Sequence, residues 1–242
     1  MKASRLKASV QDEFRAPWKD NTKAIVIDAY YQNDIDWTAL ATEPRVAGII
    51  HKASEGLGAD SEYAKRKRAA KKGGYLWGSY HLGRPGNPVD QADFYLQMAQ
   101  PADDEVMALD LEDTTPASMS IINARRFIKR IREKMGRYPM IYVTGKVRDA
   151  ILRTSGSKSV FTKTPLWYAR YRADFDISKF FPTSLWSTYT LWQFASEINC
   201  PSKPKLPCPL NRPIPGTDYR MDVNIYYGTV KELKSKWPFT VT

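Results

Sequence analysis

Residues 106–112 read Val106-Met107-Ala108-Leu109-Asp110-Leu111-Glu112, a short apolar run that ends in two carboxylates. Seven more runs rich in β-branched and aromatic residues recur at 24–28, 46–52, 75–81, 139–143, 166–171, 190–194 and 219–223, with turn or helix signals between them. Successive starts lie about 22 to 33 residues apart, which leaves room for a helix or a long loop after most strands. Eight such units in 242 residues match the repeat of a parallel α/β barrel and favour closure over an open doubly wound sheet. The expected fold is α/β, a single-domain TIM-like (β/α) barrel over 23–242, irregular and with some helices missing. A polar N-terminal leader over 1–22 precedes it.

The segments between the runs carry helix signals. Residues 60–72 read as a helix with Ala64, Ala69 and Ala70 inward and a basic outer face, ended by Gly73-Gly74. Residues 91–98 and 120–135 are the next helices, with Ser120 as N-cap and Ile121, Ala124, Phe127, Ile128 and Ile131 at helical spacing for core packing. The stretch 200–216 holds six Pro and no apolar period, so it reads as a long loop before the eighth strand.

Composition narrows the function classes. A 43% hydrophobic content with 14 Tyr, 9 Phe and 7 Trp excludes disorder and supports a sizeable core. Two Cys, at 200 and 208, and two His cannot build a zinc site of the usual spacing and allow at most one bridge, so neither a metal nor a cofactor is expected. No run of 18 apolar residues exists, and the start lacks the apolar stretch of a secretory signal. The expectation is a product made in the cytoplasm without a signal peptide. The net charge of +11 attracts polyanions, whether nucleic acid, anionic lipid or phosphate-bearing wall polymers, without choosing among them.

In such a barrel the chemistry sits where the parallel strands end, and there the polar residues are lopsided. Asp28, Asp110, Glu112 and Asp222 would converge on one mouth of a net basic chain. Like charges brought together raise one another's pKa, and a carboxyl kept protonated near neutral pH is what a general acid requires. Asp110 and Glu112, two apart on a strand, point to the same face about 6.6 Å apart at ~3.3 Å per residue. Tyr80, Trp167, Tyr168, Tyr171, Trp192 and Tyr226 lie at or just past strand ends, where aromatic faces suit a polysaccharide cleft. His51 and His81 also lie near strand ends, but a lone His is more often a hydrogen-bonded structural group than a proton donor.

These residues resemble glycoside hydrolase family 25, the muramidases or Chalaropsis-type lysozymes. The resemblance rests on Ile27-Asp28 with Ile35-Asp36-Trp37, Lys52-Ala53-Ser54-Glu55-Gly56, Gly78-Ser79-Tyr80-His81 and Leu109-Asp110-Leu111-Glu112. It continues through Ile141-Tyr142, Leu166-Trp167-Tyr168-Ala169-Arg170-Tyr171, Trp192-Gln193 and Asp222-Val223-Asn224, in order over about 24–228. It implies hydrolysis of the β-1,4 bond between N-acetylmuramic acid and N-acetylglucosamine in peptidoglycan, retaining and substrate-assisted. Glu112 matches the general acid and Asp110 the carboxylate that steers the substrate's acetamido group. Asp28, Asp222, Tyr80, Trp167, Tyr171, Trp192 and Gln193 are the expected substrate-binding residues. The family usually has Asp-x-Ser after the first strand, where this chain has Tyr30.

The implied partners are glycan strands of peptidoglycan, with no specific nucleic acid and no membrane span. A monomer released through a holin or docked on a virion, in phage lysis, would suit a chain of this charge. The alternative is a non-catalytic glycan-binding barrel carried on a larger phage particle, against which the intact Asp110 and Glu112 pair argues. Nucleic-acid binding rests only on Lys65-Arg66-Lys67-Arg68 and Lys71-Lys72, a run that reads as a solvated helix face.

Overall fold

All eight apolar runs bear strands in the computed structural model, which describes residues 16–156, 158–171, 181, 183, 185–200, 208–210 and 213–241. The strands are β1 (Lys23–Ala29), β2 (Val46–Glu55), β3 (Gly58–Ala59), β4 (Leu76–Leu82), β5 (Val106–Leu111), β6 (Met140–Thr144), β7 (Leu166–Ala169), β8 (Leu191–Ala195) and β9 (Asp222–Thr229). Their order is β1-β9-β8-β7-β6-β5-β4-β2-β3, and a β1–β2 pairing closes eight of them into a barrel. The two-residue β3 is a hairpin flap on the end of β2.

One strand departs from the expected parallel pattern. β9 pairs antiparallel with both β1 and β8, and it begins at Asp222, one residue before the sequence reading ended its eighth run at 223. A parallel return needs a crossover, usually a helix, to carry the chain back across the barrel. Between β8 and β9 no described residue is helical. The chain therefore re-enters on the side where β8 left, and β9 runs back down. Residues 219–221 form a turn, fixed where the Asp218 carboxylate accepts the Arg220 amide at 2.8 Å.

The helices are α1 (Trp37–Leu40), α2 (Tyr63–Lys72), α3 (Pro88–Ala99), α4 (Ile121–Met135), α5 (Gly145–Thr154) and α6 (Val230–Lys236). Ser120 caps α4 as expected, accepting the Asn123 amide at 3.2 Å, and Gly136 ends it at φ 71°. The inward face of α2 is corrected. It is formed by Tyr63, Arg66 and Ala70, while Ala64 is exposed. Tyr63 turns inward because its hydroxyl donates to Ala99 O at 3.0 Å and accepts from Trp77 Nε1 at 3.2 Å.

Alternation along the strands divides the core in two. Val26, Ile50, Val106, Ala108, Met140 and Leu191 point into the barrel, and Trp237 sits among them at its lower end, donating to Trp77 O at 3.1 Å. Ile25, Ile27, Leu109, Ile141 and Val143 point outward beneath the helices, against Phe127, Ile128 and Ile131. Each of those α4 side chains is fully buried, which stabilises the fold by roughly 1.5–3 kcal/mol apiece.

Of the expected leader, residues 1–15 lie outside the described residues. The rest packs on the barrel, with Trp18 stacked on Phe194 at 4.7 Å and edge-on to Trp192 at 5.2 Å. Cys200 and Cys208 form a disulfide across the start of the Pro-rich stretch, whose residues 201–207 and 211–212 also lie outside the described set. The end of that stretch is pinned to α1. Gly216 O accepts the Asp36 amide at 2.9 Å, and with φ at 78° a Cβ on Gly216 would lie 2.3 Å from Asp36 O.

Candidate active site

The inward-facing alternates that continue the barrel core upward become polar at one end. Val26 is followed on that face by Asp28, Ala108 by Asp110 and then Glu112, and Asn224 is preceded by Asp222. Because β9 is antiparallel, its first residue lies at this mouth, and Asp28 and Asp222 are direct cross-strand partners. Asp110 is aligned between Leu82 on β4 and Tyr142 on β6. All four carboxylates expected from the sequence are thus brought to one mouth.

A hydrogen-bond lattice holds Asp28. Its Oδ2 accepts from Gln193 Nε2 at 2.9 Å and from Asn224 Nδ2 at 2.7 Å. Both amides are oriented from behind. Gln193 Oε1 accepts from the hydroxyls of Tyr142, at 2.7 Å, and Tyr171. Asn224 Oδ1 accepts from Trp167 Nε1 at 2.6 Å. Burial pushes the Asp28 carboxyl up to about 6, against the lowering effect of these donors and with help from the Glu112 charge.

Asp110 is more weakly held. It is buried, and its Oδ1 has no hydrogen-bond partner among the described residues. Burial, together with Glu112, Asp28 and Asp222, drives its pKa well above the ordinary carboxylate value. Asp222 is raised likewise, by burial first and then by Asp28, Glu197 and Glu112. Glu112 stands exposed at the rim, one residue past the end of β5. Desolvation at the mouth raises its pKa too, while the nearby Arg84 and Lys52 charges oppose the rise. Those two cations are tethered through Glu55, with Lys52 Nζ 3.1 Å and Arg84 Nη2 2.6 Å from its oxygens.

The aromatic residues divide. Tyr80 is buried at the mouth, where all four carboxylates add to the burial that raises its hydroxyl. Trp167 lies beneath, edge-on to Tyr142 at 4.9 Å and to Tyr80 at 6.2 Å, as floor and not as a stacking platform. Tyr171 is half-buried beside Gln193. Trp192 is not in the site: it faces outward into the core, against Trp18, and donates to Arg170 O at 2.9 Å. Tyr168 also faces outward. Tyr226 is at the opposite end of the barrel, because β9 carries it down and away from Asp222.

Two members were missed by the sequence reading as site residues, Tyr142 and Asn224. Asn224 had a signal, being two residues from Asp222 and so on the same face. His51 and His81 are buried, and burial pushes both down to about 4. His51 Nδ1 donates to Lys52 O at 2.7 Å and Nε2 accepts from Arg66 at 3.0 Å. His81 Nε2 donates to Gln91 at 3.1 Å and Nδ1 accepts from Ser54 at 2.9 Å. Both rings are fully engaged as neutral imidazoles. Arg66, expected on a solvated face, is buried and also donates to Tyr30 O at 2.6 Å and to Asn33 O, fixing the loop after β1.

A concavity of about 670 Å³ between α4 and α5 lies outside the barrel, with Asp113 as the one carboxylate among its lining residues. Four crowded carboxylates, three of them at a closed mouth and one at its open rim, above a buried aromatic floor, make a carboxylate-lined site at the end of an α/β barrel where enzymes of this architecture carry their active sites. Comparison with known proteins agrees. Residues 27–203 match Glycosyl hydrolases family 25. The chain belongs to this family: it is a glycoside hydrolase, an N-acetylmuramidase of the lysozyme type. It is 28% identical over 179 residues to an N,O-diacetylmuramidase of Arthroderma benhamiae, covering 68% of this chain and 73% of the relative. A bacterial lysozyme from Streptomyces coelicolor shares the fold with a TM-score of 0.68 at 21% identity, over 89% of this chain and 97% of that one. A family GH25 lysozyme from Aspergillus fumigatus does so with a TM-score of 0.65 at 23% identity, over 88% and 98%.

Proposed function

We propose that the protein cleaves the β-1,4 bond between N-acetylmuramic acid and N-acetylglucosamine in peptidoglycan, with retention and with the substrate's acetamido group as nucleophile. The observation that carries this reading is the Asp110 and Glu112 pair, one carboxyl buried with an unengaged oxygen and the other at the open rim. Glu112, whose carboxyl desolvation at the mouth raises above its ordinary value, gives its proton to the glycosidic oxygen as the bond to C1 breaks. The acetamido carbonyl oxygen attacks C1 from the other face and forms an oxazolinium ion. Asp110 Oδ1 accepts the acetamido N–H, which orients the nucleophile; a carboxyl keeps an acceptor oxygen in either protonation state. Water then opens the ring at C1 while the Glu112 carboxylate takes its proton, restoring the acid and the original configuration. Substrate assistance is a recognised departure from the two-carboxylate scheme, and it leaves Asp28 and Asp222 to bind and orient the sugar.

Incubation with purified peptidoglycan followed by mass spectrometry of the borohydride-reduced products tests the bond cleaved. The expected new reducing end is N-acetylmuramic acid. A new N-acetylglucosamine reducing end, or none, contradicts the reading.

A further inference from the structure

Tyr226, displaced from the mouth by the antiparallel β9, lines a second groove of about 650 Å³. Its walls come from the residues before β7 and β8, the far end of β9, and the chain after α6. All of these lie at the end of the barrel opposite Asp28. That end of such barrels ordinarily serves stability. Here Trp237 fills the lower interior, and Tyr226 and Phe239 pack against that core while staying only half-buried, so that they also line the groove.

The lining has a consistent chemistry. Tyr226 and Phe239 form a half-buried aromatic pair with centroids 5.9 Å apart and planes 33° apart. Tyr227 is exposed beside them. Five threonines share the walls, two cations, Lys163 and Lys236, flank them, and no carboxylate is among the lining residues. Aromatic faces suit the C–H faces of sugar rings, hydroxyls suit their polar edges, and the ammonium groups suit an anionic polymer.

We propose that this groove is an accessory binding site for a glycan strand, an N-acetylated aminosugar polymer bearing carboxylates. The choice of polymer rests on the proposed function. Strands of about seven residues at ~3.3 Å each separate the two sites by roughly 23 Å, so a short fragment occupies one and an insoluble wall engages both. Two-point attachment raises retention on the wall without changing chemistry at the mouth.

The test uses two proteins and two probes. In a Glu112→Gln background, binding to purified murein sacculi is read by pelleting; in the active background, turnover is read on a soluble tetrasaccharide released from peptidoglycan. The Tyr227→Ala, Lys236→Gln double variant should weaken sacculus binding about tenfold and leave tetrasaccharide turnover within twofold. Lys72→Gln, which removes one exposed charge on α2 outside the lining of the groove, should leave both within twofold. Unchanged sacculus binding by the double variant overturns the proposal, as does an equal loss on tetrasaccharide or an equal loss with Lys72→Gln. Pelleting of the inactive protein does not require turnover. Failure of the parent to cut the tetrasaccharide would therefore count against the proposed function and not against the groove.

Discussion

Asp28 shows how a buried carboxylate is both tolerated and costly. Burial lifts it from 3.8 to about 6, although Gln193 and Asn224 both donate to it. Between those values the folded protein holds a proton that the unfolded chain has released. The group's favourable contribution is therefore complete below pH 3.8 and is lost as pH rises through 6. At 1.36 kcal/mol per pKa unit the loss is about 3 kcal/mol. Asp28→Asn keeps an acceptor oxygen for both donors and has no proton to lose. Its stability relative to the parent should rise by about 2 kcal/mol between pH 4 and pH 7, measured by urea unfolding. A pH-independent difference would contradict the assignment. His51 and His81, pushed down to about 4, slope the opposite way, but equally in both proteins. The four carboxylates were readable because each ends or adjoins an apolar run, whereas the face of Trp192 was not. Adjacent residues on a strand point oppositely, so the choice between Trp192 and Gln193 as inward depends on the β8 register, which shifts between Gln193 and Ala195.

At the scale of elements, the chain showed where strands lie but not which way the last one runs. The last strand pairs antiparallel with both neighbours, no residue described between β8 and β9 is helical, and a Pro-rich stretch signals a loop without saying where that loop ends. The inward face of α2 was misread for a related reason. Tyr63 and Arg66 are buried through partners distant in sequence, Ala99, Trp77, Tyr30 and Asn33, which no local pattern reveals. Cys200 and Cys208 tie down the segment that delivers β9 to the mouth. A bridge closing so short a loop restricts the unfolded chain by roughly 2–3 kcal/mol. The Cys200→Ser, Cys208→Ser variant should melt about 5–10 °C lower by calorimetry, given ~2–4 °C per kcal/mol for a domain of this size. An unchanged melting temperature would show that the bridge adds nothing to the fold.

Across the whole molecule, Lys and Arg outnumber Asp and Glu by 37 to 26. Four carboxylates crowd one mouth, while exposed lysines stand on α2, α5 and α6, including Lys65, Lys72, Lys146, Lys231 and Lys234, in a chain of net charge +11. The basic exterior favours an anionic wall, and the acidic mouth is neutralised in part by raised pKa values and by Lys52 and Arg84. Salt screens exposed charges over ~8 Å near physiological strength. Retention on purified walls should therefore fall as salt rises from about 50 to 500 mM, while turnover of a short soluble fragment changes little. Salt-independent retention would assign wall affinity to the apolar surfaces instead. In the proposed reaction the raised carboxyl at the rim delivers the proton that breaks the glycosidic bond. The most direct measurement is turnover of peptidoglycan by Glu112→Gln, with circular dichroism to verify its fold. The variant should keep its fold and turn over roughly 10²–10⁴-fold more slowly, because the amide keeps the shape and has no acidic proton to transfer. Near-parental turnover by the folded variant would contradict it.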